Sequence, residues 1–267
     1  MLLREVEYAK PASVAEALTI LAGSDGARAL AGGQTLINVM KARAASPDVL
    51  VDLNGLDDLK GIELGADGTL TIGAMATYTD VVGSAEARAR PILGEVCSQI
   101  ADVQVRNRGT IGGNVCSNDP TNHLPPLMAA IGAQFTIASQ SGERTVAAAE
   151  FFLGVYLTAA GPGELLTKIT IPAGKHDGFA AVTLGADGTC IANAAASLNG
   201  SLRVALGCVD AVPIVVQPSS SDEASVREAV RGVGLAPPAD VHASSEYRAH
   251  LAEVLAVRAA RQAAERS

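Results

Sequence analysis

Two pairs of adjacent glycines, Gly32–Gly33 and Gly112–Gly113, limit what this chain can fold into more than any other feature. Each follows a short apolar run and precedes an amide residue, Gln34 or Asn114. Glycine reaches backbone angles closed to other residues and lets another group approach the main chain closely. Successive backbone N–H groups in such turns form concavities that accept anions, so two of them could converge on one diphosphate. The second pair lies in Gln104–Pro126, a stretch rich in Asn and small hydroxyl residues, with Arg106 and Arg108 and little apolar periodicity. That stretch reads as a loop and not as a core element; a long polar surface loop with no ligand is the competing reading. Neither pair fits GxGxxG or GxxxxGK[ST], so neither a Rossmann site nor a P-loop is expected.

The rest of the composition narrows the partner. A net charge of −8 with no strongly basic segment argues against nucleic acid or an anionic membrane surface. Trp is absent and Phe and Tyr number four each, leaving few platforms for base stacking. Cys97, Cys116, Cys190 and Cys208 are scattered without a CxxC pair, so neither a disulfide framework nor a metal or iron–sulfur site within the chain is expected. The N-terminal segment lacks a signal-peptide core and no apolar run reaches spanning length, which points to a cytoplasmic protein without a membrane span. With 267 residues, nearly half of them apolar, the chain can form one large domain or two modest ones.

Periodicity and turn chemistry order the elements. A strand over 3–8 precedes a capping box at Ser13–Glu16 and a helix over 14–22. ALAGG (29–33) reads as a strand entering the first glycine turn, a helix spans 35–42, and a strand covers 47–53. A hairpin turns at 66–68, Thr77 or Thr79 caps a short helix, and an amphipathic helix runs over 85–101. Leu127–Gly132 forms a short helix, a hairpin turns at 141–143, Glu150–Tyr156 is helical, and ELLTKITIP (164–172) is a strand by its alternation. Tyr156 is expected in the core. The turn-rich segment 172–178 separates a first part, 1–173, from a second, 178–267. In the second part strands at 179–184, 190–198 and 202–209 join through turns at Asp187–Gly188 and Asn199–Gly200. A helix at 222–232 and a C-terminal helix from Ser245, frayed at its tip, complete it. The fold class is α+β.

The segments AGGQTL (31–36), VRNRGTIGGN (105–114) and SNDPTNHLPP (117–126), with ELLTKITIP and the late SSEYRAHL, resemble the FAD-binding medium subunit of molybdenum hydroxylases, the carbon monoxide dehydrogenase and xanthine dehydrogenase group. The resemblance spans nearly the whole chain. It implies a two-part FAD-binding domain of the vanillyl-alcohol-oxidase type followed by a smaller C-terminal domain of antiparallel sheet plus helices. It also implies that Ala31, Gly32, Gly33, Gln34, Thr35 and Leu36 hold one side of the FAD pyrophosphate, and Thr110, Ile111, Gly112, Gly113 and Asn114 the other. Asp119 and Ser117 would meet ribityl or ribose hydroxyls, and Leu165 would lie near the isoalloxazine ring or adenine. Thr77 either faces the flavin or only caps its helix. His123 reads as structural, while Cys116 lies close enough in sequence to sit near the ligand.

Two departures from the family pattern stand out. Gln34–Thr35 replaces the common His–Ser, and the opening of the second part, IPAGKHDGFAAVTLG, lacks the usual aromatic-Lys and double-Arg stretch. The resemblance further implies an electron-transfer role in a dimer of heterotrimers. An iron–sulfur small subunit would carry [2Fe-2S] clusters and a large subunit molybdopterin, with no catalytic or metal-binding residue in this chain. The alternatives are a free-standing FAD-dependent oxidase or dehydrogenase acting on its own small-molecule substrate, with His123 or Cys116 as a covalent attachment point, a non-enzymatic ligand-binding protein, and an interaction subunit that has lost FAD.

Overall fold

The computed structural model describes residues 2–185 and 188–267. The chain opens with β1 (Glu7–Ala9), α1 (Val14–Gly23), β2 (Ala27–Leu30), α2 (Leu36–Lys41) and β3 (Val49–Asp52). Ser13 caps α1 by accepting from Glu16 N–H, and the Glu16 carboxylate reaches back to Ala12 N–H. Ala17, Leu18 and Leu21 then face inward. β1, β3 and β2 form a parallel three-stranded sheet in that order, in which Leu30 pairs with Asp52. β1 is shorter and starts later than the strand expected over 3–8, overlapping it only at Glu7 and Tyr8.

The next unit is built on β4 (Ile62–Leu64) and β5 (Leu70–Gly73). They pair with strands that come much later in the chain. Helices α3 (Tyr78–Gly83), α4 (Ile92–Ser98), α5 (Val103–Arg106), α6 (Ile111–Ser117) and α7 (Leu124–Ile131) intervene. Then follow β6 (Gln134–Ser139), β7 (Gly142–Ala147), α8 (Ala148–Phe151), β8 (Phe152–Gly154), β9 (Leu157–Thr158) and β10 (Leu165–Ile171). The five-stranded antiparallel sheet has the order β4-β5-β10-β6-β7. β10 takes the centre, and Leu166, Ile169 and Ile171 point into the core with Phe135 and Phe151, whose rings stack at 4.0 Å.

The last part contains β11 (Asp177–Thr183), β12 (Cys190–Asn199), β13 (Ser201–Gly207), β14 (Ile214–Val216), α9 (Glu223–Gly232) and α10 (Ser245–Glu265). Its four antiparallel strands run in sequence order. α10 and α9 cover one face; on the other, Ala195 and Ala205 join the core of α7 and the five-stranded sheet. β12 is covered on both sides, and its run of alanines lets both layers approach. Across the junction, Arg90 forms a buried ion pair with Asp177 at 2.8 Å. Asn199 and Ser197 add hydrogen bonds, as does the carbonyl of Pro172. Arg266 donates to the Asp177 carbonyl and to Glu95, so the final turn of α10 is tied down instead of fraying.

Several expectations change. The helix over 85–101 is reduced to α4, because Arg90–Pro91 breaks the run and only Ile92, Leu93, Val96 and Cys97 bury a face. The segment 104–126 is mostly helical, and Ile111, Gly112 and Val115 are core residues. Residues 150–156 turn out of the helix at Phe152 into a hairpin. Its tip, Tyr156, is left-handed (φ 55°) and exposed, not buried in the core. The short edge strand β14 has no counterpart in the periodicity reading. Of the turn expected at Asp187–Gly188, Asp187 lies outside the described residues.

Candidate functional site

The parallel sheet delivers the first glycine turn. β2 ends at Leu30 beside Asp52, and the chain crosses the C-terminal edge of the sheet before starting α2. Gly33 has a φ of 74°, a left-handed value that favours glycine. Among the described residues, the backbone N–H groups of Gly32, Gly33, Gln34, Thr35 and Leu36 have no acceptor. Five successive unbonded amides form a concave donor surface suited to an anion. The turn is held from behind. Leu53 N–H donates to the Leu30 carbonyl at 3.0 Å, and Asn54 Nδ2 donates to the Ala31 carbonyl at 3.1 Å. Asp52 in turn holds Asn54 through both its backbone and its side chain, and accepts from Tyr8 Oη. The Tyr8 hydrogen bond and the Asn54 bonds keep the Asp52 carboxyl below its ordinary range, against the opposing effect of its burial.

The second glycine pair has a different role. Thr110 caps α6, and Gly112–Gly113 occupy its first turn. The N–H groups of Ile111 and Gly112 donate to the carbonyls of Ala76 and Ala74, both at 2.9 Å. That of Gly113 donates to Thr110 Oγ1 at 3.0 Å, and that of Asn114 to the Thr110 carbonyl. These amides are already committed, so the expectation of two open donor turns is met on the first side only. The glycines of α6 serve close packing: a Cβ on Gly112 would sit 2.5 Å from the Ala74 carbonyl oxygen.

The two stretches touch. A Cβ on Gly32 would lie 2.0 Å from the Arg108 carbonyl oxygen, and one on Gly113 would lie 3.5 Å from the Ala31 Cβ. Between them opens a cavity of about 300 Å³ lined by Leu30–Gln34, Ile37, Asn38, Lys41 and Arg108. No carboxylate lines it, and among the described residues the side chains of Lys41 and Arg108 have no hydrogen-bonded or ion-paired partner. Arg106, by contrast, donates to the carbonyls of Ile100 and Ala101 and is structural.

The remaining expected residues divide. Thr77 forms an antiparallel bridge with Thr110, which brings it to the site, and it also caps α3 in a capping box with Asp80. The Asn114 amide donates to Tyr78 Oη at 2.9 Å, while its buried Oδ1 lacks a partner among the described residues. Ser117 and Asp119 lie at the far end of α6, about 10 Å along its axis from Thr110. Ser117 Oγ donates to the Asn114 carbonyl and accepts from Asn122 Nδ2. Asp119 accepts from Thr121 N–H and from Tyr156 Oη at 2.8 Å, which pins the β8–β9 tip against the loop. Leu165 is elsewhere: it is 4% exposed and packs among the apolar residues beneath α1, with Leu18, Met75 and Ala138. Its side chain therefore belongs to the core. Asn54, Asp52, Lys41 and Asn38 were not singled out in the sequence. Their signal is positional, since Asp52 and Asn54 close a strand of a parallel sheet, where sites in such sheets form.

A family model described as the FAD binding domain in molybdopterin dehydrogenase matches residues 4–174. The carbon monoxide dehydrogenase medium chain of Afipia carboxidovorans is 37% identical over 98% of this chain and 97% of its own length. The glyceraldehyde dehydrogenase medium chain of Sulfolobus acidocaldarius is 33% identical over 97% of this chain and 99% of its own. A chain of reconstituted CO dehydrogenase from Oligotropha carboxidovorans superposes with a TM-score of 0.93 at 34% identity, covering both chains completely. This protein belongs to the FAD-binding family of molybdopterin dehydrogenases, which are oxidoreductases. Its site fits that cofactor: the open amides begin at Gly32, Gly33 and Gln34 on the wall of a cavity that Lys41 and Arg108 also line, and a Cβ at Gly32 would destroy the close approach to the Arg108 carbonyl. Among the described residues no helix is long and apolar enough to cross a membrane.

Proposed function

We propose that this chain is the FAD-carrying electron-transfer subunit of a multi-subunit molybdenum hydroxylase. It receives electrons from iron–sulfur clusters on a small partner subunit, downstream of a molybdopterin-bearing large subunit, and passes them to an external acceptor. The assembly is a dimer of heterotrimers in the cytoplasm. The observation that carries the reading is the row of five open amides from Gly32 to Leu36, faced by the glycine-bearing start of α6.

FAD, when bound, supplies reversible one- and two-electron transfer. The chain's own residues bind and orient it. The amides of Gly32–Leu36 hold the pyrophosphate, with Lys41 and Arg108 offsetting its charge. Ala31 and the Thr110–Asn114 stretch provide the opposite wall, Thr77 closes that wall beside Thr110, and Ser117 and Asp119 meet hydroxyls further along the groove. A role for Leu165 is confined to backing this wall from the core. The free-standing oxidase gains no support from its attachment candidates: burial pushes the Cys116 thiol up to about 12, and His123 is buried against the Phe179 ring.

Co-expression with the neighbouring genes, purification through a tag on this chain, a visible spectrum and a subunit gel test the proposal. Flavin bands, iron–sulfur absorption and two co-purifying chains are expected. A lone yellow protein that turns over substrate would make it an oxidase, and a lone colourless chain would overturn the reading.

A further inference from the structure

Behind the Asn118–His123 loop lies a second polar cluster that the flavin site does not use. Along β12, Ala192, Ala194 and Ala196 face α10, and along β13 Leu202, Val204 and Leu206 do the same. Strict alternation would send Cys190 and Cys208 to that apolar face as well. Two separate irregularities prevent it. Val182 pairs with Ala192 but Thr183 pairs with Cys190, so Ile191 is the extra residue of a bulge and takes the α10 side in place of Cys190. Cys208 follows the last ladder pair in a left-handed conformation (φ 64°), uncommon for a residue with a side chain.

Both sulfurs thereby meet one carboxamide. Asn193 Nδ2 lies 3.4 Å from Cys190 Sγ and 3.6 Å from Cys208 Sγ. The same nitrogen lies 3.4 Å from His123 Nδ1 and 3.3 Å from the Asn122 carbonyl oxygen. All four side chains are buried. Asn193 Oδ1, packed against Gly207, has no partner among the described residues. Bulges and strained backbone both concentrate where a side chain is re-aimed for a task. No metal-holding group of three or more His, Cys, Asp or Glu occurs among the described residues, so a metal does not account for the pair.

We propose that Cys190 and Cys208 are a redox-active dithiol that hydrogen peroxide closes into an intrachain disulfide. Cys190 sulfur attacks one peroxide oxygen, the O–O bond breaks, and the departing hydroxide takes the thiol proton as water, leaving a sulfenic acid. Cys208 sulfur then attacks that sulfur; the S–S bond forms, the S–O bond breaks, and the second hydroxide leaves with the Cys208 proton as water. Two thiols lose two electrons in all and one peroxide gains them. The two sulfurs are unequal partners in this. The Cys208 thiol first, then His123 and Asn193, hold Cys190 below the usual thiol range against the effect of burial, whereas Cys208 is pushed up.

The test uses the full-length protein, reduced, desalted and exposed to hydrogen peroxide, then denatured, alkylated and mapped by peptide mass. A Cys190–Cys208 cross-linked peptide is expected, with these thiols lost at least about tenfold faster than Cys97 and Cys116, whose thiols burial pushes up to about 12. Cys190→Ser and Cys208→Ser should each abolish the cross-link. Full alkylation of both residues after peroxide, or loss no faster than at Cys97 and Cys116, overturns the proposal even if a variant fails to fold.

Discussion

Replacing Gly32 by alanine tests the central contact of the site with a single methyl group. The added Cβ would stand 2.0 Å from the Arg108 carbonyl oxygen, and contacts under 3.0 Å essentially never occur. The Arg108–Gly109 backbone must therefore retreat by about 1 Å, and overpacking of this kind costs about 1–3 kcal/mol of stability. Because Gly109 leads directly into Thr110 and α6, the retreat widens the cavity and twists the Gly32–Leu36 amides away from a common anion. A hydrogen bond to a charged acceptor contributes about 1.5–3 kcal/mol. Weakening one or two of them, a loss of about 2–4 kcal/mol, lowers FAD affinity about 30- to 700-fold at 1.4 kcal/mol per decade. Gly94→Ala is the control: its Cβ meets nothing within 4 Å, and it lies inside α4, where alanine favours the helix. FAD titration by fluorescence quenching, paired with thermal melts, reads both effects. A Gly32→Ala protein that keeps parental FAD affinity and melting temperature would refute the convergence of the two glycine stretches on one anion.

Three further outcomes are expected. Arg108→Gln and Lys41→Gln should each weaken FAD binding about two- to fivefold and flatten its salt dependence, as exposed charges do; Arg106→Gln should lower the melting temperature with FAD affinity unchanged, because it breaks bonds to the Ile100 and Ala101 carbonyls. Asn54→Leu removes the donor to the Ala31 carbonyl and should cost about 1–2 kcal/mol of FAD binding, measured by the same titration. Arg90→Met strands the buried Asp177 carboxylate and should destabilise the protein by about 3–5 kcal/mol in denaturant titrations. Adding Asp177→Leu should recover most of that loss, and additive losses would sink the ion-pair account.

Much of the first part of the fold was legible because local chemistry and tertiary structure agree there. The Ser13–Glu16 cap, the alternation of β10 and the hairpin around Gly68 each say locally what the packing requires. The first glycine turn was legible for the same reason, since β2 leads into it and Gly33 needs its left-handed angle. α6 was not. Two glycines and a run of polar residues argue against a helix, and it forms because Thr110 caps it while Ile111 and Val115 enter the core. Two of its amides were misjudged with it, because the acceptors of Ile111 and Gly112, at Ala76 and Ala74, come from a segment more than thirty residues earlier. The hairpin at 152–158 depends on Asn118, whose side chain donates to the Gly154 carbonyl, and no local pattern announces a partner so distant. The aim of Cys190 depends on a bulge, which leaves no mark on apolar periodicity.

The open amides of Gly32–Leu36 have a consequence for how this site can change over time. Recognition that resides in the main chain is indifferent to most side chains along it. At positions 34 and 35 the side chains do little locally: Gln34 Nε2 donates only to the neighbouring Gly32 carbonyl, and Thr35 makes no side-chain cap to α2. Those two positions can drift, and Gln34–Thr35 in place of His–Ser is a substitution the cradle does not register. Gly32 and Gly33 have no such latitude, one held by its neighbour's carbonyl and the other by its own torsion angle. Variation within the turn should therefore be a matter of surface character and solubility at its second half, and of survival at its first.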